Sequence, residues 1–221
     1  TAYEISLGLV GSEMCIRDRI TPDSERTMVT FLGTAGKINE NDIDAEVIKK
    51  SKITFLEGYL WDEGEPKTAF NKAIINSNKV AMSWSDLFCV KRHKLNFLDL
   101  VKNKLDIIFA NEQEITSLID AKTFEEVISF CQEVGKLIVV TRGEKGSVAI
   151  NSNEVIEWQS KKNLKIIDLT GAGDLFASGY LHGILNNFLD TDKASALFWG
   201  FSVILVVLDI ERKKLKESKP L

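Results

Sequence analysis

Cysteine, histidine and proline are scarce in this chain, and no apolar run is long. The 221 residues hold three cysteines, two histidines and three prolines. Cys15, Cys89 and Cys131 are odd in number and outside any C-x-x-C spacing, which argues against a disulfide framework and for reduced thiols in a cytoplasmic setting. His93 and His182 stand far apart without a ligand pattern, so each reads as a surface or core residue. The longest apolar run, Phe198–Leu208, is about half the length a membrane span requires, and Gly200 and Ser202 interrupt it. It reads as a buried element, and no membrane partner is expected. Basic residues are not in excess: 28 against 32 acidic, a net charge of −4. That leaves no electrostatic footprint for nucleic acid. Repeats and low-complexity linkers are absent as well. The length suits one large domain, or a domain with an appendage, and allows a substantial core.

Two common glycine loops are also missing. A Walker A loop ends in Gly-Lys-Ser/Thr, and no such ending occurs in the chain's most prominent glycine loop, Thr170-Gly171-Ala172-Gly173. A dinucleotide fingerprint needs glycine at its sixth position, where Phe176 stands, and this removes a dehydrogenase from consideration.

What remains is a regular alternation. Thr1–Arg19 shows neither helical nor strand periodicity, and its string S-L-G-L-V-G-S-E-M-C-I-R-D-R resembles translated adapter sequence. It is expected to be foreign to the protein, the alternative being an ordinary poorly ordered terminus. From Ile20, a turn at Pro22–Glu25 and a β-rich run at Met28–Leu32 suggest a hairpin. Asn41 is placed to cap a helix over Asp42–Lys50. Strands are expected at Ile53–Leu60, Val80–Trp84, Asp106–Ala110 and Leu137–Thr141. Helices are expected at Pro66–Ser77, Lys94–Lys104, Glu112–Asp120 and Phe124–Val134. A meander over Ser147–Asn151 and Glu154–Gln159 follows, then a strand at Ile166–Ile167, a helix opened by Asp174, and a last helix over Lys193–Val207. Alternating strands and helices predict an α/β fold, its sheet mainly parallel with helices on both faces. Gly58, Ser85-Asp86, Asn111, Thr141-Arg142-Gly143 and Gly171 all follow strands. In a parallel sheet such positions share the edge where ligands bind.

The stretch Asp168–Asp174, D-L-T-G-A-G-D, carries the most chemistry. A glycine loop entering a helix aims free N–H groups and a positive dipole end at one anion. Asp174 in the same turn would repel a resting phosphate, so the loop suits a reaction better than storage. Asn111 with Glu114 reads on its own as an N-cap and capping box. Gly143 and Gly146 read equally well as turn residues or as a loop that admits a ligand, and Gly179 with Gly183 as close-packing positions.

Taken together, Asp168–Asp174, Asn111-Glu112-Gln113-Glu114 and Thr141-Arg142-Gly143-Glu144-Lys145-Gly146 resemble, in order and spacing, the motifs of the PfkB/ribokinase family of sugar and nucleoside kinases. The strings S-E-R-T-M, L-E-G-Y-L-W-D and S-D-L-F-C-V-K-R-H are similar to bacterial adenosine kinase-like members. The resemblance implies a ribokinase-like fold with a remnant β lid near the N-terminus, and an ATP-dependent kinase acting on a hydroxyl of a nucleoside or sugar such as adenosine, ribose or fructose. It implies Asp174 as general base, with Gly171, Ala172 and Gly173 donating N–H groups to the transferring phosphoryl. It further implies Asn111, Thr141, Gly143, Gly146 and Thr170 on ATP, Glu114 on Mg²⁺, and a homodimer through the lid in a full-length parent. Asp86 and Arg92 resemble a position near the phosphates, an exposed ion pair being the alternative.

The pattern is incomplete at both ends. The substrate-gripping N-terminal part of the family finds no counterpart before Ile20, and Val203–Leu221 departs from the family's glycine-rich ending. Residues 20–221 are therefore expected to form a partial kinase domain that binds Mg-ATP weakly and transfers little phosphate. A non-catalytic nucleotide-binding fragment or pseudokinase is the alternative.

Overall fold

The computed structural model describes residues 15–20, 26–61, 65–160 and 171–187. The chain divides into two compact units, Thr1–Asp168 and Leu169–Leu221.

The first unit opens on an antiparallel hairpin, β1 (Cys15–Ile20) and β2 (Arg26–Phe31), with Cys15 opposite Phe31 and Ile20 opposite Arg26. The expected hairpin is present, but its first strand lies back in Thr1–Arg19, where no strand period is legible. Main-chain pairing holds such a ribbon whether or not its sequence alternates. Val29 and Phe31 on β2 are exposed. The turn expected at Pro22–Glu25 lies outside the described residues.

Helix α1 (Ala45–Lys50) starts later than expected. Asp44 is its cap, accepting from the N–H groups of Glu46 and Val47 at 2.9 and 3.3 Å. Asn41 caps nothing here; Asn39 instead caps a short 3₁₀ turn over Glu40–Asp42 through a capping box. Strand β3 (Thr54–Glu57) also stops short of its expected end, because the chain turns at Gly58 into a 3₁₀ turn over Gly58–Trp61. A Cβ on Gly58 would lie 2.6 Å from the Trp84 carbonyl oxygen, so only glycine permits that crossing.

The succession then follows the sequence closely. Helix α2 (Pro66–Asn76) has proline in its first turn, where its missing N–H is not needed. Strand β4 (Val80–Ser83) leads to α3 (Leu87–Arg92), a short helix the periodicity did not reveal, and then to α4 (Lys94–Asn103). Strand β5 (Ile107–Asn111), α5 (Glu112–Ile119), α6 (Phe124–Val134), β6 (Leu137–Thr141), β7 (Ser147–Ile150) and β8 (Val155–Trp158) follow.

These strands form one six-stranded sheet in the order β3-β4-β5-β6-β7-β8, parallel from β3 to β6 and antiparallel beyond. The register sets Leu56, Met82, Ile108, Ile138 and Ile150 in one transverse row. That row, with Ala110, Val140 and Val148, enters a core built with Phe70 of α2, Val90 of α3, Phe97 of α4, Ile115 of α5 and Val127 of α6. Their neighbours Ala81, Ile107, Phe109, Val139 and Ala149 point to the opposite face and are buried too. Burial of both faces explains why these strands read as continuous apolar runs.

The second unit contains α7 (Ala172–Leu185). Phe176, Tyr180 and Gly183 are buried along one side, Phe176 and Tyr180 stacking with ring centroids 6.4 Å apart. The strand expected at Ile166–Ile167 and the helix expected at Lys193–Val207 lie outside the described residues.

Candidate active site

The ends of the parallel strands carry most of the polar residues singled out from the sequence. Asn111 closes β5 and caps α5, accepting from the Glu114 N–H through Oδ1 at 2.8 Å. Glu114 answers with both carboxylate oxygens: Oε2 accepts from the Asn111 N–H at 2.9 Å and Oε1 from Asn111 Nδ2 at 2.8 Å. The two residues therefore form a closed capping box. Glu114 is only 5% exposed. Burial pushes its carboxyl up to about 7, the Asn111 N–H opposes this, and the Asp86 carboxylate adds to the rise.

Thr141 sits directly beside Asn111 in the β5–β6 register and opposite Ser147 on β7. Between Thr141 and Ser147 the chain makes a tight turn in which the Arg142 N–H donates to the Gly146 carbonyl at 2.8 Å. Gly143 and Gly146 both have positive φ, 57° and 93°. A Cβ on Gly146 would lie 1.9 Å from the Trp158 carbonyl oxygen, whereas one on Gly143 would meet nothing within 4 Å. Gly146 is thus required by packing and Gly143 by conformation alone.

Glu112 joins these two strand ends, and its role was not legible in the sequence. Its carboxylate takes Arg142 Nε at 3.1 Å and Nη2 at 3.4 Å, and Lys145 Nζ at 3.1 Å. The Arg142 guanidinium also lies 3.5 Å from the centroid of the Phe124 ring, at the start of α6. The hydrogen bond from Arg142, partly offset by burial, holds the Glu112 carboxyl below the usual range, and Lys145 adds to this. Partners 30 and 33 residues away leave no local pattern by which Glu112 could be found.

On the β4 side, Ser85 adopts a left-handed φ of 66°, unusual for a side chain with Cβ. Its hydroxyl accepts from the Gly58 N–H at 2.9 Å, tying the β3 and β4 ends together. Asp86 caps α3 by accepting from the Phe88 N–H at 2.9 Å, and Arg92 lies 5.5 Å from the Phe88 ring centroid.

Gly171, expected at the same edge, belongs to the second unit and is described by its own geometry. It takes a left-handed φ of 69° and is the N-cap of α7. The helix begins at Ala172, two residues before the expected start at Asp174, because the glycine alone reverses the chain and no side-chain cap is needed. Ala172, Gly173 and Asp174 occupy the first turn, whose N–H groups have no partner within the helix. Asp174 and Gly173 are exposed. Thr170, expected on ATP, lies outside the described residues, as does Asp168.

The donor set suits a magnesium nucleotide. Each Glu114 oxygen accepts one hydrogen bond and keeps a lone pair. Magnesium characteristically binds one or two carboxylates together with phosphates and waters. No cluster of three His, Cys, Asp or Glu residues occurs among the described residues, so any such ion here would rely on that sparse arrangement. Among the described residues no helix is long and apolar enough to cross a membrane.

The mostly parallel six-stranded sheet with its helices matches the ribokinase-like class of fold. The sequence pattern of the pfkB family carbohydrate kinases matches residues 19–197, and the chain belongs to that family. An adenosine kinase from Sinorhizobium meliloti superposes with a TM-score of 0.74 at 35% identity, over 77% of this chain and 54% of that one. A probable sugar kinase from Rhizobium etli CFN 42 gives 0.77 at 35%, over 83% and 57%. An E. coli protein described as a ribokinase II, solved with ATP and Mg²⁺, shares the fold with a TM-score of 0.70 at 20% identity, over 84% and 61%. The chain spans 30%, 34% and 52% of the lengths of three curated relatives that it matches.

Proposed function

We propose that the protein transfers the γ-phosphoryl of ATP to a hydroxyl of a nucleoside or sugar, with adenosine as the preferred acceptor. The observation that carries this reading is the pairing of Asn111 with Thr141 at adjacent strand ends. It sets a capping box and a glycine turn side by side, each suited to one part of a magnesium nucleotide. Family membership supports it, and the two relatives at 35% identity support a nucleoside or sugar acceptor.

In this reading Thr141, Gly143 and Gly146 line the nucleotide, together with Asn111 and Thr170. Glu114 holds Mg²⁺, whose chemistry when bound is to neutralise charge on the phosphates. Asp174 takes the proton from the acceptor hydroxyl as its oxygen attacks the γ-phosphorus and ADP leaves. A positioned base of this kind contributes ~10²–10⁴-fold. The N–H groups of Gly171, Ala172 and Gly173 donate to the charge spread over the transferring phosphoryl, where one lost donor costs about 3 kcal/mol.

The test combines calorimetric titration with Mg-ATP and a phosphoryl-transfer assay on adenosine, ribose and fructose. In a protein of its relatives' full length, transfer should favour adenosine and Asp174→Asn should lower turnover by ~10²–10⁴-fold while nucleotide still binds, whereas the 221-residue chain should transfer little. A near-normal rate in Asp174→Asn refutes the base. Nucleotide binding without any transfer would establish a non-catalytic nucleotide-binding protein instead.

A further inference from the structure

Glu112 carries two cations, and they are held differently. Arg142 is half-buried at 16% side-chain exposure, binds Glu112 through two nitrogens, and lies over Phe124. Planar, two-point and stacked, it is fixed. Lys145 is 64% exposed and meets the same carboxylate through a single nitrogen. An exposed pair of that kind contributes about 0–1 kcal/mol, so little opposes its release.

The charges around Glu112 make such a release productive. With Arg142 fixed, Glu112 stays neutralised whether or not Lys145 remains. The cluster of Glu112, Arg142 and Lys145 carries one surplus positive charge, held at the first turn of α5 beside Asn111. The neighbouring Glu144 is exposed, and its carbonyl accepts from the Ser160 hydroxyl, which anchors the turn from its far side. Lys145 thus sits on a turn whose backbone is braced at Arg142, Glu144 and Gly146, while its side chain is held to Glu112 by an exposed contact.

We propose that Lys145 is a phosphate-binding residue, stored on Glu112 and transferred to the nucleotide's polyphosphate when it binds. The inference rests on the nucleotide reading of the Thr141–Gly146 turn. Arg142 is the positioning partner that lets Glu112 release Lys145 without leaving a half-buried carboxylate unpaired.

The experiment is calorimetric titration of the 221-residue chain with Mg-ATP and with AMP, using wild type, Lys145→Gln and Lys145→Arg. Each is checked for an unchanged melting temperature, which the exposure of Lys145 predicts. Replacing a charge-assisted contact to phosphate should weaken Mg-ATP binding about tenfold and leave AMP within about twofold. Lys145→Arg should restore most of the loss, and the salt dependence of Mg-ATP binding should be shallower in Lys145→Gln. An ATP-to-AMP affinity ratio unchanged in Lys145→Gln overturns this proposal and leaves the nucleotide reading intact. A wild-type chain that binds neither nucleotide overturns both.

Discussion

Gly146→Ala isolates what the Thr141–Ser147 turn demands of its backbone, and Gly143→Ala is its control. At Gly143 the added Cβ meets nothing within 4 Å, so the cost is that of holding a φ of 57° alone. For an L residue that is about 1 kcal/mol. At Gly146 φ is 93° and ψ −134°, a combination open essentially to glycine, which costs a further ~1–3 kcal/mol. The new methyl would also lie 1.9 Å from the Trp158 carbonyl oxygen and 2.9 Å from the Ser160 nitrogen. These are backbone atoms and cannot rotate aside, so β8 or the turn must shift, at roughly 1–3 kcal/mol more. Gly146→Ala should therefore destabilise by ~3–7 kcal/mol against ~1 for Gly143→Ala. Urea unfolding followed by far-UV circular dichroism measures both. Equal losses for the two variants, or a Gly146→Ala loss under about 1 kcal/mol, would refute the steric argument.

Glu114 and Glu112, two residues apart on one helix turn, should respond oppositely to pH. Glu114 has a folded pKa raised from 4.5 to about 7, so its contribution is fully present below pH 4.5 and is lost as pH rises through 7. The full loss is about 3 kcal/mol. Asp86→Ala should lower the Glu114 titration towards 4.5, as followed by carboxyl NMR, and cost ~1 kcal/mol through the lost α3 cap. A Glu114 titration unmoved in that variant would exclude the Asp86 contribution. Glu112 has a depressed folded pKa, so its stabilisation is present above 4.5 and fades on acidification. Glu112→Ala should cost about 1–3 kcal/mol at pH 7 and less as pH falls below 4.5, by urea midpoints. A loss independent of pH would show that the ion pair contributes nothing there.

The elements with a strong local signal were legible from the sequence almost to the residue. Pro66 announced α2, Asn111 stood before α5, and Phe124–Val134 and Leu137–Thr141 matched α6 and β6 end to end. Glu112–Asp120 and Phe124–Val134 show why: caps and an apolar stripe act within a few residues of themselves. The failures have the opposite cause. Strand β3 ended early because Gly58 meets the backbone of Trp84, and α3 was missed because six residues hold too little of a helical period. Asn41 resembled a cap, but Asn39 and Asp44 on either side captured the available N–H groups.

By itself the sequence determined the alternation of strands and helices, the resemblance to the sugar and nucleoside kinases, and the list of residues that carry it. Those follow from nearest-neighbour chemistry and spacing, which a linear string preserves. Only the tertiary structure decided that Asn111 and Thr141 stand side by side, that burial and Asp86 raise Glu114, and that Glu112 holds two cations of unequal mobility. Desolvation and ion pairing depend on distance through space, and residues 30 or more positions apart acquire that distance only when the sheet forms.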